Sequence, residues 1–523
     1  MDRATSATHR RTSIVVGVLA ALLAPASAAL AHHPAFHATG QFKHDVRVIT
    51  DAASLDVPIA RQTDNVEFVA HAATGEGSDL FFQRREGLQR YKGQVIDATI
   101  DLAVAGGVTE IGATILDVSD PTAPEVLAQV PCGGFHSEVL LYENLLLQTW
   151  DATNLPCDPD SGVDPDGLDR PDDQGVRIFD ITDPAAPRLV AFRGEAEGIH
   201  PAGVHNGTVN AEAGLLYLNM AELDPIGPLW GWIDLEDPAF PVHTRSMRDI
   251  SPTALDGCHD ASVAPTRQLM ACAAIELSYV WDISDPRNPV ELAVIPNPGI
   301  TIHHGARFTP DEQVLVLNDE LAGAAFAPGC TGLTNGPIGA LWFYNVSTPT
   351  FPVLQSTFST SDLSTDTTCT SHFYNFTRDT TLLTIGWYEA GMIAVDYGGP
   401  LPTEHAHFEP EGSSFWAAYS WHGHVYGNSY SQNDAAGFWV IRVDGIDDVA
   451  PLATDEGNSW IRWTSALEAS EVAPVDGPAP APSDGDATLP ATGGSIALLG
   501  VAALALSAWL RRRSPSEDSL PAA

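Results

Sequence analysis

An all-β fold, a β-propeller of seven four-stranded blades followed by a disordered spacer and a C-terminal apolar sorting helix, is what this 523-residue chain predicts. Three observations predict it. An apolar strand ending in Asp and running into a Pro-containing turn recurs along the body, and a histidine recurs shortly ahead of an extended run. The interval between copies is 48 to 63 residues, which suits a four-stranded unit with variable loops rather than a helical repeat.

The clearest copies of the strand-and-turn phrase run from Ile115 to Pro124, from Ile178 to Pro187 and from Val280 to Pro289; weaker ones run from Trp232 to Pro238 and from Phe343 to Pro349. Two more keep only the strand, Ile393 to Asp396 and Val440 to Asp444, so the key position falls at Asp117, Asp180, Asp234, Asp282, Asn345, Asp396 and Asp444. Asp and Ser side chains accept hydrogen bonds from turn backbone and Pro presets φ, so these residues read as turn formers. The histidines ahead of extended runs are His71, His136, His205, His259, His304, His372 and His424. Behind them stand apolar strands such as Val139 to Tyr142, Leu215 to Leu218 and Val314 to Leu317. Seven sheets set radially protect most of their edges. Val46 to Ile49 is expected to supply the outermost strand of the last blade and close the ring.

On these residues the chain resembles the LVIVD-repeat family of surface β-propellers, whose signature strand is written here as Val280-Trp281-Asp282-Ile283 and Ile178-Phe179-Asp180-Ile181. The resemblance covers roughly Val66 to Asp444 and implies fold more than function, since propellers host unrelated activities. Long inserts in units two, three and five, and missing Asp-Pro turns in units six and seven, depart from the pattern.

The chain ends carry address signals. Arg3, Arg10 and Arg11, an apolar run from Ile14 to Leu23 and the small-residue site Ala29-Leu30-Ala31 read as a signal peptide over 1–31, against the alternative of a retained N-terminal anchor. Residues 32–60 form a leader, 61–446 the propeller and 447–488 an acidic Pro/Ala-rich spacer. Residues 489–523 hold Leu489-Pro490-Ala491-Thr492-Gly493, an apolar run from Ile496 to Leu510 and Arg511 to Arg513. Together they resemble LPxTG sorting signals, which implies cleavage between Thr492 and Gly493 by a sortase and attachment to cell-wall peptidoglycan. The segment is short for a stable span, and it touches the membrane only before processing. The expected location is secreted and anchored at the surface of a Gram-positive cell.

Composition limits the partners. With 67 Asp and Glu against 25 Lys and Arg, the formal charge is −42, which repels nucleic acid and anionic membranes. Six cysteines in an exported body read as disulfides, with sequence neighbours suggesting Cys132 with Cys157, Cys258 with Cys272 and Cys330 with Cys369.

Chemistry-bearing residues fall into three groups. First strands line a propeller's channel, so His136, His205, His259, His304, His372 and His424 would form an imidazole ring able to hold copper, zinc or iron; alternatively the rings only hydrogen-bond neighbouring blades. Asp160, Asp164 and Asp166, in an acidic loop, could collect Ca²⁺, although their spacing is not that of an EF-hand. Aromatics around Trp387-Tyr388 and Trp421 to Tyr426 could stack on a glycan or instead fill the core, and His32, His33 and His37 could chelate copper at a new N-terminus. No hydrolase elbow, zinc-protease, phosphate-loop or dinucleotide motif is present. The expected function is therefore a surface-anchored binding, adhesion or scaffold module for a protein or glycan ligand; the alternative is a metal-dependent extracellular oxidoreductase.

Overall fold

The computed structural model describes residues 46–134, 137–151, 155–220, 227–320, 339–360, 370–378, 380–446 and 459–464. Their strands form four-stranded antiparallel meanders in chain order, as in Asn206–Asn210, Leu215–Asn219, Leu229–Asp234 and Val242–Ser246. The innermost strands are Gly77–Tyr91, Ser137–Tyr142, Asn206–Asn210, Asp260–Ala264, His303–Phe308, Phe373–Phe376 and Phe415–Trp421.

Hydrogen bonds along the inner and second strands join each meander to the next, which makes the arrangement a closed ring. Ser78 donates to the Ser137 carbonyl, Thr149 to that of His205 (3.4 Å) and Thr208 to that of Ala261 (2.9 Å). Ile275 N donates to His303 O (3.2 Å), Tyr374 Oη to Val316 O (2.7 Å) and Asn375 to Ser420 O (3.1 Å). Asn428 donates to Gly106 O at 2.9 Å and closes the circle onto the first meander. The chain is a β-propeller. At the closing seam a Cβ on Gly77 would fall 2.0 Å from Asn428 Oδ1, so a larger residue there would have to displace the Asn428 amide.

The cores lie between blades. Leu140, Leu147, Val209 and Leu216, all buried, share one cluster across the second and third blades; burying each such side chain contributes about 1.5–3 kcal/mol. The repeated Asp does what a turn former should. Its Oδ1 accepts the backbone N–H two residues on at Asp117 (2.9 Å), Asp180 (2.7 Å), Asp234 (3.1 Å), Asp282 (2.8 Å), Asn345 (3.0 Å) and Asp396 (2.9 Å).

Two expectations need correction. The last blade, Phe415–Trp421, His424–Ser429 and Gly437–Val443, is closed by Val66–Ala72, not by the residues from Val46 to Ile49. Val48–Ile49 pairs outside Val66–Ala72 and is the outermost strand there, as expected, but the longer run, not this one, closes the ring. Within the stretch assigned to a spacer, Trp460–Thr464 pairs in parallel with Phe82 to Glu86 on the inner edge of the first blade. Ile461 and Trp463 are buried there, and Arg85 lies over the Trp463 ring at 5.1 Å. Pro/Ala composition masked a short apolar alternation. Cys132–Cys157 and Cys258–Cys272 are disulfides; Cys330 and Cys369 lie outside the described residues.

A cluster of imidazoles at the channel mouth

His205, His259 and His372 each stand immediately before an innermost strand, and each backbone N–H is fixed by a carbonyl of the second strand of the same blade. The acceptors are Asn219 (2.9 Å), Ala273 (2.6 Å) and Gly386 (2.9 Å). In the fifth blade the register shifts between His303 and Gly305, and this bulge separates two adjacent histidines by role. His303 turns to Ser278 Oγ (2.7 Å), and burial pushes its pKa down to about 4. His304 joins the arc.

The result is four imidazoles in sequence around one mouth. Ring centroids are 3.9 Å apart for His205 and His259, 4.3 Å for His259 and His304, and 4.2 Å for His304 and His372. Trp416 of the last blade follows, 4.6 Å from His372. Its Nε1 donates to Glu138 at 3.1 Å, which spans the channel to the second blade.

Carboxylates complete the cluster. Glu320, one residue past Val314–Asp319, is 7% exposed. Its Oε1 accepts from Tyr388 Oη (2.6 Å) and lies 3.6 Å from His372 Nε2, while Oε2 lies 3.7 Å from His304 Nε2. Burial, then the Glu320 charge, holds the Tyr388 phenol well above its ordinary pKa. Asp151, one residue past Leu145–Trp150, hydrogen-bonds His205 Nδ1. Asn318 donates to the carbonyls of Ser371 (3.2 Å) and His372 (3.3 Å) and lies 3.4 Å from His304 Nδ1.

Deeper along the inner strands, Tyr419 Oη donates to Asp79 (2.7 Å) and accepts from Arg307 (3.2 Å). Burial raises the pKa of Asp79 and, to about 6, that of Asp260; burial and then the charge of Asp79 raise that of Glu138 well above the carboxylate range. Arg307 opposes the first two shifts.

The predicted ring is therefore an arc. His205, His259, His304 and His372 converge, and His136 lies outside the described residues. His424 does not belong. It begins the second strand of its blade, paired with Trp421 at the far end of the first strand, because a histidine ahead of a strand does not reveal which strand follows. His71 sits on the closing strand and stacks on Trp439 at 4.0 Å. In the acidic loop the carboxylates of Asp164 and Asp166 are turned to separate partners. Asp164 accepts the N–H groups of Leu168 (2.8 Å) and Asp169 (3.0 Å), Asp166 pairs with Arg188 (2.5 Å), and Asp160 donates its own N–H to Asp158 (2.8 Å). Trp387 and Trp421 are buried, so they fill core rather than present a glycan platform. Glu320, Asp151 and Trp416 stand in no sequence motif, although both acids occupy one position, directly after a second strand, and Tyr388 is expected from the sequence only as a stacking or core aromatic.

No family model and no curated protein sequence matches this chain. Among solved structures it is similar to the β-propeller domain of Myceliophteria thermophila Cps50 (Swd1), at 11% identity over 74% of this chain and 99% of that one, TM-score 0.45. It is also similar to a chain of a Mitotic Checkpoint Complex (10%, covering 77% and 98%, TM-score 0.43) and to U3-55K (9%, covering 73% and 99%, TM-score 0.46). Likenesses this distant bear on neither ligand nor activity. What fold and site define together is a β-propeller with a polar, histidine-lined channel mouth.

Proposed function

We propose that this chain is an exported β-propeller of the LVIVD-repeat kind, tethered to the cell wall through Leu489 to Gly493, that acts as a binding module through its channel mouth. The observation that carries the binding reading is the polar cluster itself. His259, His304, His372 and Glu320 are buried together at one mouth, whereas the blades are held by apolar cores elsewhere. Burying such groups costs free energy that packing does not require, so a ligand is the reason to keep them. The tether reading is supported by the order of pentapeptide, apolar run and arginines. The same cluster could serve an oxidoreductase, but no observation favours turnover over binding.

Two measurements test this. Expressed in a Gram-positive host, the full chain should partition to the wall fraction, and a sortase-deficient host or Thr492→Ala should leave it out of that fraction; equal wall content in both would refute the tether. A thermal-shift screen of metal salts, glycans and peptides should find a ligand whose stabilisation is lost in His304→Gln.

A further inference from the structure

We propose that the channel mouth is a first-row transition-metal site, with His259, His304 and Glu320 as its core ligands and His372 presenting a further nitrogen; this rests on reading the mouth as the binding site. Each of the three core residues offers one ligand atom, and these atoms lie within 4.8 Å of one another, the one such group among the described residues. Around an ion with bonds of about 2.1 Å, tetrahedral ligand atoms stand roughly 3.4 Å apart. A shift of roughly 1 Å in the side chains closes that gap.

Hydrogen bonds from behind hold the rings of the arc in place. His372 Nδ1 lies 2.7 Å from the carbonyl oxygen of Trp416. A carbonyl only accepts, so Nδ1 carries a proton and Nε2 is the nitrogen turned toward Glu320 Oε1 at 3.6 Å. His304 Nε2 stands 3.7 Å from the other oxygen of the same carboxylate, so imidazole nitrogens converge on both oxygens of one buried acid.

His205 repeats the pattern. His205 Nδ1–H donates to the Asp151 carboxylate, which leaves Nε2 as the nitrogen turned away from it. Metal-binding histidines typically give their other N–H to a carboxylate or backbone carbonyl in this way. Tyr388 plays the same orienting part for Glu320.

The donor set selects the ion. Imidazoles with one carboxylate suit zinc, copper, iron or nickel, whereas calcium and magnesium prefer all-oxygen shells. The overall charge of −42 concentrates cations at the surface.

The test uses the full exported chain purified without an affinity tag, stripped with chelator, loaded with zinc or cobalt(II) and passed over a desalting column. The expected result is about one equivalent retained at the mouth. Glu320→Gln and His304→Gln should each weaken zinc binding at least tenfold, and the cobalt visible spectrum should change in both. His424→Ala, at the far end of its blade, should bind as the parent does. Tyr388→Phe leaves every core ligand in place and should weaken binding about tenfold, which separates ligation from collapse of the fold. Retention below a tenth of an equivalent, or parental affinity in Glu320→Gln and His304→Gln, would overturn the metal site. If the ligand screen then still finds a compound whose effect depends on His304, the metal falls and the binding mouth stands; if it finds none, both fall.

Discussion

His372 and Glu320 face each other between the fifth and sixth blades, Nε2 to Oε1 at 3.6 Å, each held from behind by a partner that leaves it little freedom. The Trp416 carbonyl fixes the imidazole and the Tyr388 hydroxyl fixes the carboxylate. The four residues come from three blades, so the geometry of the mouth is also a lock between blades.

That lock makes the Tyr388–Glu320 pair measurable. Tyr388→Phe should destabilise the chain by about 1.5–3 kcal/mol, the range for a hydrogen bond to a charged group. In a double-mutant cycle with Glu320→Gln, urea unfolding should show a coupling of about 1 kcal/mol or more. Coupling near zero would mean the contact contributes nothing.

Ring closure predicts a sharp boundary for N-terminal truncation. A chain beginning at residue 62 keeps Val66–Ala72 and should melt cooperatively with a modest loss of stability. A chain beginning at residue 74 loses the closing strand and the His71–Trp439 stack, and should melt broadly. Calorimetry distinguishes the two, and equal cooperativity would count against closure by this strand.

His407 gives stability a pH dependence. Burial pulls its pKa down, but Glu404 (3.4 Å) and Glu409 (3.7 Å) more than offset this and hold it above the unfolded value of 6.5. The folded chain therefore binds this proton more tightly than the unfolded one. The contribution is fully present below pH 6.5 and is lost as pH rises through the raised folded value. Urea midpoints from pH 5.5 to 8.5 should show that loss, and His407→Gln should flatten it.

The disulfides should stabilise through loop closure. Cys132 and Cys157 are 25 residues apart and Cys258 and Cys272 are 14 apart, which corresponds to about 3 kcal/mol for each. Replacing either pair with Ser should lower the melting temperature of the chain.

Much of this was legible in the sequence because it is local. Asp117, Asp180 and Asp282 announce their turns within three residues, and a hydrogen bond two residues along is all the structure adds. His205, His259 and His372 were legible as strand openers for the same reason. The failures are non-local. His424 and His71 also precede or occupy extended runs, and only the pairing of Trp421 with His424 and of His71 with Trp439 shows that they lie on a second strand and on a closing strand. Glu320, Tyr388 and Asp151 lie past the ends of second strands, and their convergence on the arc depends on how neighbouring blades are set. His304 was legible as a candidate, but its separation from His303 depends on a bulge.

The most direct measurement is anomalous diffraction at the zinc edge from crystals of the full chain loaded with zinc. The account predicts one strong peak bonded to His259, His304 and Glu320 at about 2.0–2.2 Å, with His372 Nε2 turned toward it. A map with no peak at the mouth, while zinc is present elsewhere in the crystal, would contradict it.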